Sequence, residues 1–176
     1  NLEEDIYVLD LSDFSNLSGM GSKSSNPDNV GFIKDENGNI FANRKVSKDL
    51  LNKEYDFYCE DNYLYLKSSK KPHNISYTTQ VDLVRVTSNT IIKDLIIEDT
   101  GAHGVVIKEY LLRNVYIENC VIRNIGGSVL RQDTFTRYGN GIEFWAQGEN
   151  TIVKNCIICN IYDAGYTLQS DGAVDG

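Results

Sequence analysis

Ile92-Lys93-Asp94-Leu95-Ile96-Ile97-Glu98-Asp99 recurs as Ile117-Glu118-Asn119-Cys120-Val121-Ile122-Arg123-Asn124, and again as Val153-Lys154-Asn155-Cys156-Ile157-Ile158-Cys159-Asn160. Each copy places an Asn or Asp, four strand-forming residues and a second Asn or Asp in the same order. Leu95 and Cys120 are 25 residues apart and Cys120 and Cys156 are 36 apart, as if one turn carried an extra eleven residues. A fixed period in the low twenties with β-branched cores and Asn at the corners is the signature of a β-solenoid. One rung cannot bury its apolar face alone, so rungs must stack.

A second strand signal follows a glycine in each repeat: Gly104-Val105-Val106-Ile107, Gly141-Ile142-Glu143-Phe144 and Gly165-Tyr166-Thr167-Leu168. Alignment puts Val105, Ile142 and Tyr166 in one column and Ile107, Phe144 and Leu168 in another. By the strand period of two these columns point inward, while Val106, Glu143, Thr167 and Lys108, Trp145, Gln169 point outward. In the first strands, Ile92, Ile117 and Val153 are expected inside, with Leu95, Cys120, Cys156 and Ile97, Ile122, Ile158. The Asn/Asp columns (Asp94, Asn119, Asn155; Asp99, Asn124, Asn160) suit bends, because these residues tolerate left-handed φ and stacked amides bond each other between rungs.

Residues 1 to about 80 do not share the repeat, and Lys71-Pro72 marks a boundary within them. Ile6 to Leu11 reads as a strand, and Ser15 to Asn29 as a Ser/Gly/Asn-rich loop. Asn37-Gly38 between Gly31-Phe32-Ile33-Lys34 and Ile40-Phe41-Ala42 predicts a hairpin. Glu60-Asp61-Asn62 between Tyr55-Asp56-Phe57-Tyr58-Cys59 and Tyr63-Leu64-Tyr65-Leu66 predicts another. Val46 to Leu51 is the one helical-turn candidate, and Ile75 to Val86 are expected to be the first coil strands. The organisation expected is an all-β chain, with a hairpin-rich lead-in over residues 1–72 and a parallel β-helix over 73–176. The coil ends on a strand with no capping element, so the chain is expected to be a piece of a longer protein.

Composition narrows function. The chain has 176 residues, 41% of them hydrophobic, and a net charge of −8. That charge argues against a nucleic-acid groove, which needs clustered Lys and Arg. No run of eighteen apolar residues exists to span a membrane. Of the four cysteines, Cys120 and Cys156 share a repeat position and are expected as a stacked pair of thiols, with a disulfide as the alternative. With two histidines in the chain, no metal ligand set is assigned.

Chemistry is expected where the eleven-residue excess, within Gly126 to Asn140, leaves the repeat, since corner insertions are where solenoids build binding surfaces. Arg131, Asp133 and Arg137 are expected over the outward columns that carry Glu143, Trp145, Thr167 and Gln169. His103 and Asn140 share the position before the second-strand glycine, and Asp163 lies two residues before Gly165. Carboxylates, an aromatic face, Arg and amides together suit a carbohydrate. Bland readings stand beside this one: Glu143 as a solvated charge, Asp163 as a turn residue, Trp145 as a cover for the flank, His103 as a turn residue.

Gly126-Gly127-Ser128, Arg137-Tyr138-Gly139-Asn140-Gly141-Ile142-Glu143-Phe144-Trp145 and Ile161-Tyr162-Asp163-Ala164-Gly165-Tyr166-Thr167-Leu168-Gln169 resemble a bacterial branch of the right-handed parallel β-helix proteins, the pectate-lyase-like solenoids. The resemblance covers residues from about 72 to 170. It implies a polysaccharide or oligosaccharide partner and a secreted or cell-surface location. The expected activity is glycoside hydrolysis, with Glu143 and Asp163 as the carboxylate pair and no cofactor. Trp145, His103, Asn140, Gln169, Asp133 and Arg131 would contact the sugar. A polysaccharide lyase or uronan epimerase is the alternative: Arg137 or Arg131 would be its base, with calcium on Asp133, Glu143 or Asp163. A non-catalytic glycan-binding or surface-structural solenoid is the third reading.

Overall fold

A computed structural model describes residues 5–12, 29–107, 111–131, 133–145 and 147–169. Most of the predicted Ser15 to Asn29 loop, and Lys108 of the outward column, lie outside the described residues. The chain is all-β and separates into two compact units, Asn1–Val81 with Ser128–Arg137, and Asp82–Gly127 with Tyr138–Gly176.

In the first unit a four-stranded sheet is ordered β1 (Ile6–Asp10), β5 (Tyr63–Lys67), β4 (Asp56–Glu60), β3 (Asn43–Arg44). β4 and β5 form the predicted hairpin. Glu60 pairs with Tyr63, and the two residues between, Asp61 and Asn62, have φ of 50° and 65°. Two positive-φ residues make the tight turn whose twist matches the strands it joins. Alternation then sends Phe57, Cys59, Leu64 and Leu66 into a core shared with Leu11, Val30 and Ile33. Val46 to Leu51 supplies a 3₁₀ turn at Lys48–Leu50. At the Asn37-Gly38 hairpin, Lys34 bridges Ile40 and the Asp35 carboxylate accepts the Asn37 and Asn39 N–H groups, each at 2.9 Å.

β2 (Ile33–Lys34) pairs antiparallel with β6 (Ser76–Tyr77), so the first unit runs on to Val81, past the expected boundary at residue 72. Only β7 (Val84–Arg85), from the end of the Ile75 to Val86 stretch, joins a parallel sheet.

The insertion also differs from expectation. Its strands β13 (Ser128–Arg131) and β14 (Thr136–Tyr138) pair with each other, and Ser128–Arg137 is grouped with the first unit. Asn29 explains the grouping. Its Nδ2 donates to the Val129 carbonyl at 2.7 Å, its Oδ1 accepts the Val129 N–H at 2.8 Å, and its own carbonyl accepts the Ser128 hydroxyl at 2.8 Å. A side-chain amide pairing with a backbone amide in a buried place satisfies both groups at once.

The second unit is built from three parallel sheets; three passes of the chain each contribute one strand to each, and β7 adds a fourth strand to one of them. Their orders are β16 (Gln147–Lys154), β11 (Leu111–Glu118), β8 (Thr90–Lys93); then β17 (Ile157–Ile161), β12 (Val121–Ile125), β9 (Ile96–Thr100); then β18 (Tyr166–Leu168), β15 (Ile142–Phe144), β10 (Val105–Ile107), β7. Register follows the sequence alignment: Ile92 pairs with Ile117 and Ile117 with Val153. Ile97 pairs with Ile122 and Ile122 with Ile158, and Val105 pairs with Ile142 and Ile142 with Tyr166. The middle pass is the best buried, with Ile117, Ile122 and Ile142 at 0% exposure.

Three inward expectations fail at the edges. Leu95 is 49% exposed, and Tyr166 and Leu168 are 45% and 68% exposed. β8, β9 and β18 are outermost in their sheets, so a side chain there lacks a neighbouring pass on one side.

The bends carry the predicted left-handed residues. Asp94, Asn119 and Asn155 have φ of 57°, 55° and 53°, and Asp99, Asn124 and Asn160 have 68°, 55° and 53°. Amides bond between passes: Asn119 Nδ2 to Asp94 Oδ1 at 3.1 Å, Asn124 to Asp99 at 3.0 Å and Asn160 to Asn124 at 3.2 Å. A third ladder, Asn89, Asn114 and Asn150, was not anticipated; its bonds are 2.9 and 2.8 Å. Cys120 is buried and Cys156 partly buried on the next pass, and all four cysteines are free thiols.

The excursion leaves the second unit through a neck of glycines. Gly127 N–H donates to the Tyr138 carbonyl at 2.7 Å, and a Cβ on Gly139 (φ 130°) would lie 2.1 Å from Gly126 Cα. Only glycine lets the outgoing and returning backbones meet so closely.

Candidate functional site

In the second unit the residues just before β10 and β15 converge with the middle of β15. Asn140 is the hub. Its N–H donates to His103 Nδ1 at 3.1 Å, and its Nδ2 donates to Glu143 Oε2 at 3.1 Å and to Thr167 Oγ1 at 3.4 Å. Its Oδ1 accepts the Ala164 N–H at 3.0 Å. One residue of the middle pass thus holds the pass before it through its backbone N–H and the pass after it through its side chain.

Glu143 Oε2 lies 2.6 Å from His103 Nδ1, with the two side chains 2% and 7% exposed. So short a contact ties carboxyl and imidazole closely together, at the same ring nitrogen that the Asn140 N–H meets. The His103 ring stands edge-on to Tyr138, centroids 5.0 Å apart. Behind it, His103 N–H donates to Asp82 Oδ1 at 3.4 Å, and Asp82 Oδ2 holds Arg85 at 2.9 Å. An imidazole fixed by a carboxyl on its ring nitrogen, a ring face and its own backbone has one orientation.

The expectation that Glu143 meets open water is corrected. Ile142 and Phe144 do fill the apolar core, so the alternation is as read. Glu143 and its column neighbour Val106 are nevertheless 2% and 1% exposed. Facing away from the core does not expose a side chain that is covered by others, and a carboxyl so enclosed needs hydrogen-bonding partners.

Trp145 follows β15 and is 38% exposed. Asp163 and Gln169 are exposed, and the Asp163 N–H donates to the Gly139 carbonyl at 3.3 Å. Asp163 adjoins Ala164, so it stands at the corner that Asn140 clamps. Arg131, Asp133 and Arg137 belong to the first unit, where the Arg137 guanidinium donates to the Gly31 carbonyl at 3.1 Å. The site is therefore built from His103, Asn140 and Glu143, with Asp163 next to a residue they bond.

Sequence reasoning missed Asp82, Arg85 and Tyr138 as parts of this cluster. Tyr138 stood inside the Arg137 to Trp145 string, while nothing in the sequence marked Asp82 or Arg85. Burial pushes the pKa of the Tyr166 hydroxyl up.

Among the described residues no group of three or more His, Cys, Asp or Glu side chains is arranged to hold a metal ion, and no helix is long and apolar enough to cross a membrane. No protein-family model matches the chain, and neither the curated proteins nor the solved structures compared with it give a match.

Proposed function

We propose that the second unit is part of a right-handed parallel β-helix acting on a polysaccharide by hydrolysis. The observation that carries this reading is the 2.6 Å contact between the enclosed Glu143 carboxyl and the His103 ring. A general acid must deliver a proton to the departing glycosidic oxygen, and in this reading the Glu143 carboxyl, enclosed beside a fixed imidazole, is that acid. Asp163, exposed at the clamped corner, is the second carboxylate, which either activates water or attacks the anomeric carbon. Trp145 offers the ring face against which a sugar stacks.

A second reading has its own support. Glu143 is 2% exposed and its Oε2 is bonded by both His103 and Asn140, which suits a cluster that only locks successive passes together. The protein would then be a non-catalytic glycan-binding or structural solenoid.

One experiment separates them. The protein is incubated with neutral and acidic polysaccharides, with and without chelator, while new reducing ends, ultraviolet absorbance and retained glycan are measured. Hydrolysis predicts reducing ends without absorbance, insensitivity to chelator, and lost turnover with kept binding in Glu143→Gln. Absorbance that chelator abolishes would replace hydrolysis with lyase chemistry. Binding without cleavage, unchanged in Glu143→Gln, would establish the second reading.

A further inference from the structure

The first unit holds a cleft of about 290 Å³, near the lower bound of roughly 300 Å³ for small-molecule sites. That volume suits a single ring. One wall is apolar: Phe41 and Tyr55 meet edge to face, centroids 4.9 Å apart and planes at 88°, beside Ile75. Lys70, Lys71 and His73 also line it.

The charges are unequal in what they already do. Asp35 also lines the cleft, and its carboxylate accepts hydrogen bonds from the Asn37 and Asn39 N–H groups and from the Asn39 amide of its own turn. His73 faces Glu36 at 4.0 Å. Lys70 and Lys71 are exposed, and among the described residues neither is paired with a carboxylate. On a chain of net charge −8, two lysines unpaired beside an aromatic corner are a local reversal of sign.

We propose that this cleft binds a small organic carboxylate with a compact ring body. Its carboxylate is held by Lys70 and Lys71, and its ring packs on the Phe41–Tyr55 corner. Two cations against an apolar wall favour a single negative charge joined to a ring over a bare inorganic anion, which would leave that wall empty. An acidic monosaccharide and an aromatic acid share this chemistry. The proposal concerns the first unit alone and stands apart from the hydrolytic reading of the second.

Calorimetric titration of the protein with sodium glucuronate, sodium benzoate, glucose and inorganic phosphate tests it. Saturable binding of at least one carboxylate at a single site is expected, with glucose and phosphate much weaker. The Lys70→Gln/Lys71→Gln double variant, altered only at exposed positions, should lose about tenfold in affinity. Tyr55→Ala should weaken the carboxylate while leaving any phosphate binding unchanged. Glucuronate binding without benzoate identifies an acidic sugar, and the reverse identifies an aromatic acid. Failure of both carboxylates to bind, equal binding of glucose, phosphate binding as tight as either carboxylate, or undiminished affinity in the double variant would overturn the proposal.

Discussion

Gly104, Gly141 and Gly165 occupy one column of the second unit, yet alanine should act on them with different results. A Cβ on Gly141 would lie 2.5 Å from the Gly165 carbonyl oxygen and 2.9 Å from Ile158 Cγ2; a Cβ on Gly165 meets nothing nearer than Ile158 Cγ2 at 3.4 Å. The oxygen cannot retreat freely, because it accepts the Ile142 N–H at 3.0 Å. Overpacking of this kind costs about 1–3 kcal/mol, and losing the hydrogen bond adds about 1 kcal/mol. Stiffening of the unfolded chain returns about 0.4–1 kcal/mol. Gly141→Ala should therefore destabilise by about 2–3 kcal/mol, while Gly165→Ala should stay within about 0.5 kcal/mol of the parent. Trp145 is the chain's single tryptophan and lies one residue past β15, so its fluorescence during urea unfolding reports on the affected unit. At a slope of about 2 kcal/mol per molar urea, the Gly141→Ala midpoint should fall by about 1 M. Equal losses at the two positions, or no loss at Gly141, would refute the close approach of successive passes.

Further outcomes follow from the same structure. Asn119→Ala should cost about 1–2 kcal/mol in urea unfolding, because it puts a side chain with a full left-handed penalty at φ 55° and removes the bond to Asp94, whereas Asn119→Gly should cost less. Glu143→Val should cost about 3–5 kcal/mol by removing the carboxyl that both His103 and Asn140 contact, although Val106 fills the same column one pass earlier; Glu143→Gln, which keeps an acceptor for the Asn140 amide, should cost about 1–2 kcal/mol. Hydrogen bonds from Asn39 hold the Asp35 carboxyl below the ordinary carboxylate range. Its folded pKa is thus lower than its unfolded one, so its contribution is complete above about pH 4 and is lost as pH falls through the lower folded midpoint; a carboxyl-carbon NMR titration at or above the free-Asp midpoint would contradict this. Iodoacetamide should label exposed Cys159 first and buried Cys59 and Cys120 only on unfolding, as peptide mass mapping would show.

What the sequence made legible is what repetition encodes. Register in the parallel sheets was readable because the same residue types return at offsets of 25 and 36, and a one-residue slip would expose every apolar column. The Asn89, Asn114, Asn150 ladder keeps those same offsets and was open to the same reading. Edge exposure was not legible, since Leu95 and Leu168 look like any other member of their columns and differ only in lacking a neighbouring pass. The insertion's place was hidden for another reason: its anchor, Asn29, is 100 residues from Val129, and no local pattern announces such a pairing. Alternation told which way Glu143 turns but carried no information about what covers it.

In a stacked array the columns that repeat are architecture, and the informative positions are those that change type. The Asn and Asp columns bristle with polar groups, yet each recurs in every pass, and a left-handed bend accounts for it. Two columns, three positions apart in each pass, do not repeat and meet one another. His103, Asn140 and Ala164 differ from pass to pass, and so do Val106, Glu143 and Thr167. The odd members of both columns are the ones bonded to each other, through the Asn140 amide and the His103 ring. Stacking alone would be served by valine at 143, as it is at 106, and burial makes the carboxyl costly there unless its partners are present. A buried acid where the fold itself is content with an aliphatic residue, 2.6 Å from an imidazole nitrogen, is what makes this corner, rather than the more polar ladders, the candidate for chemistry.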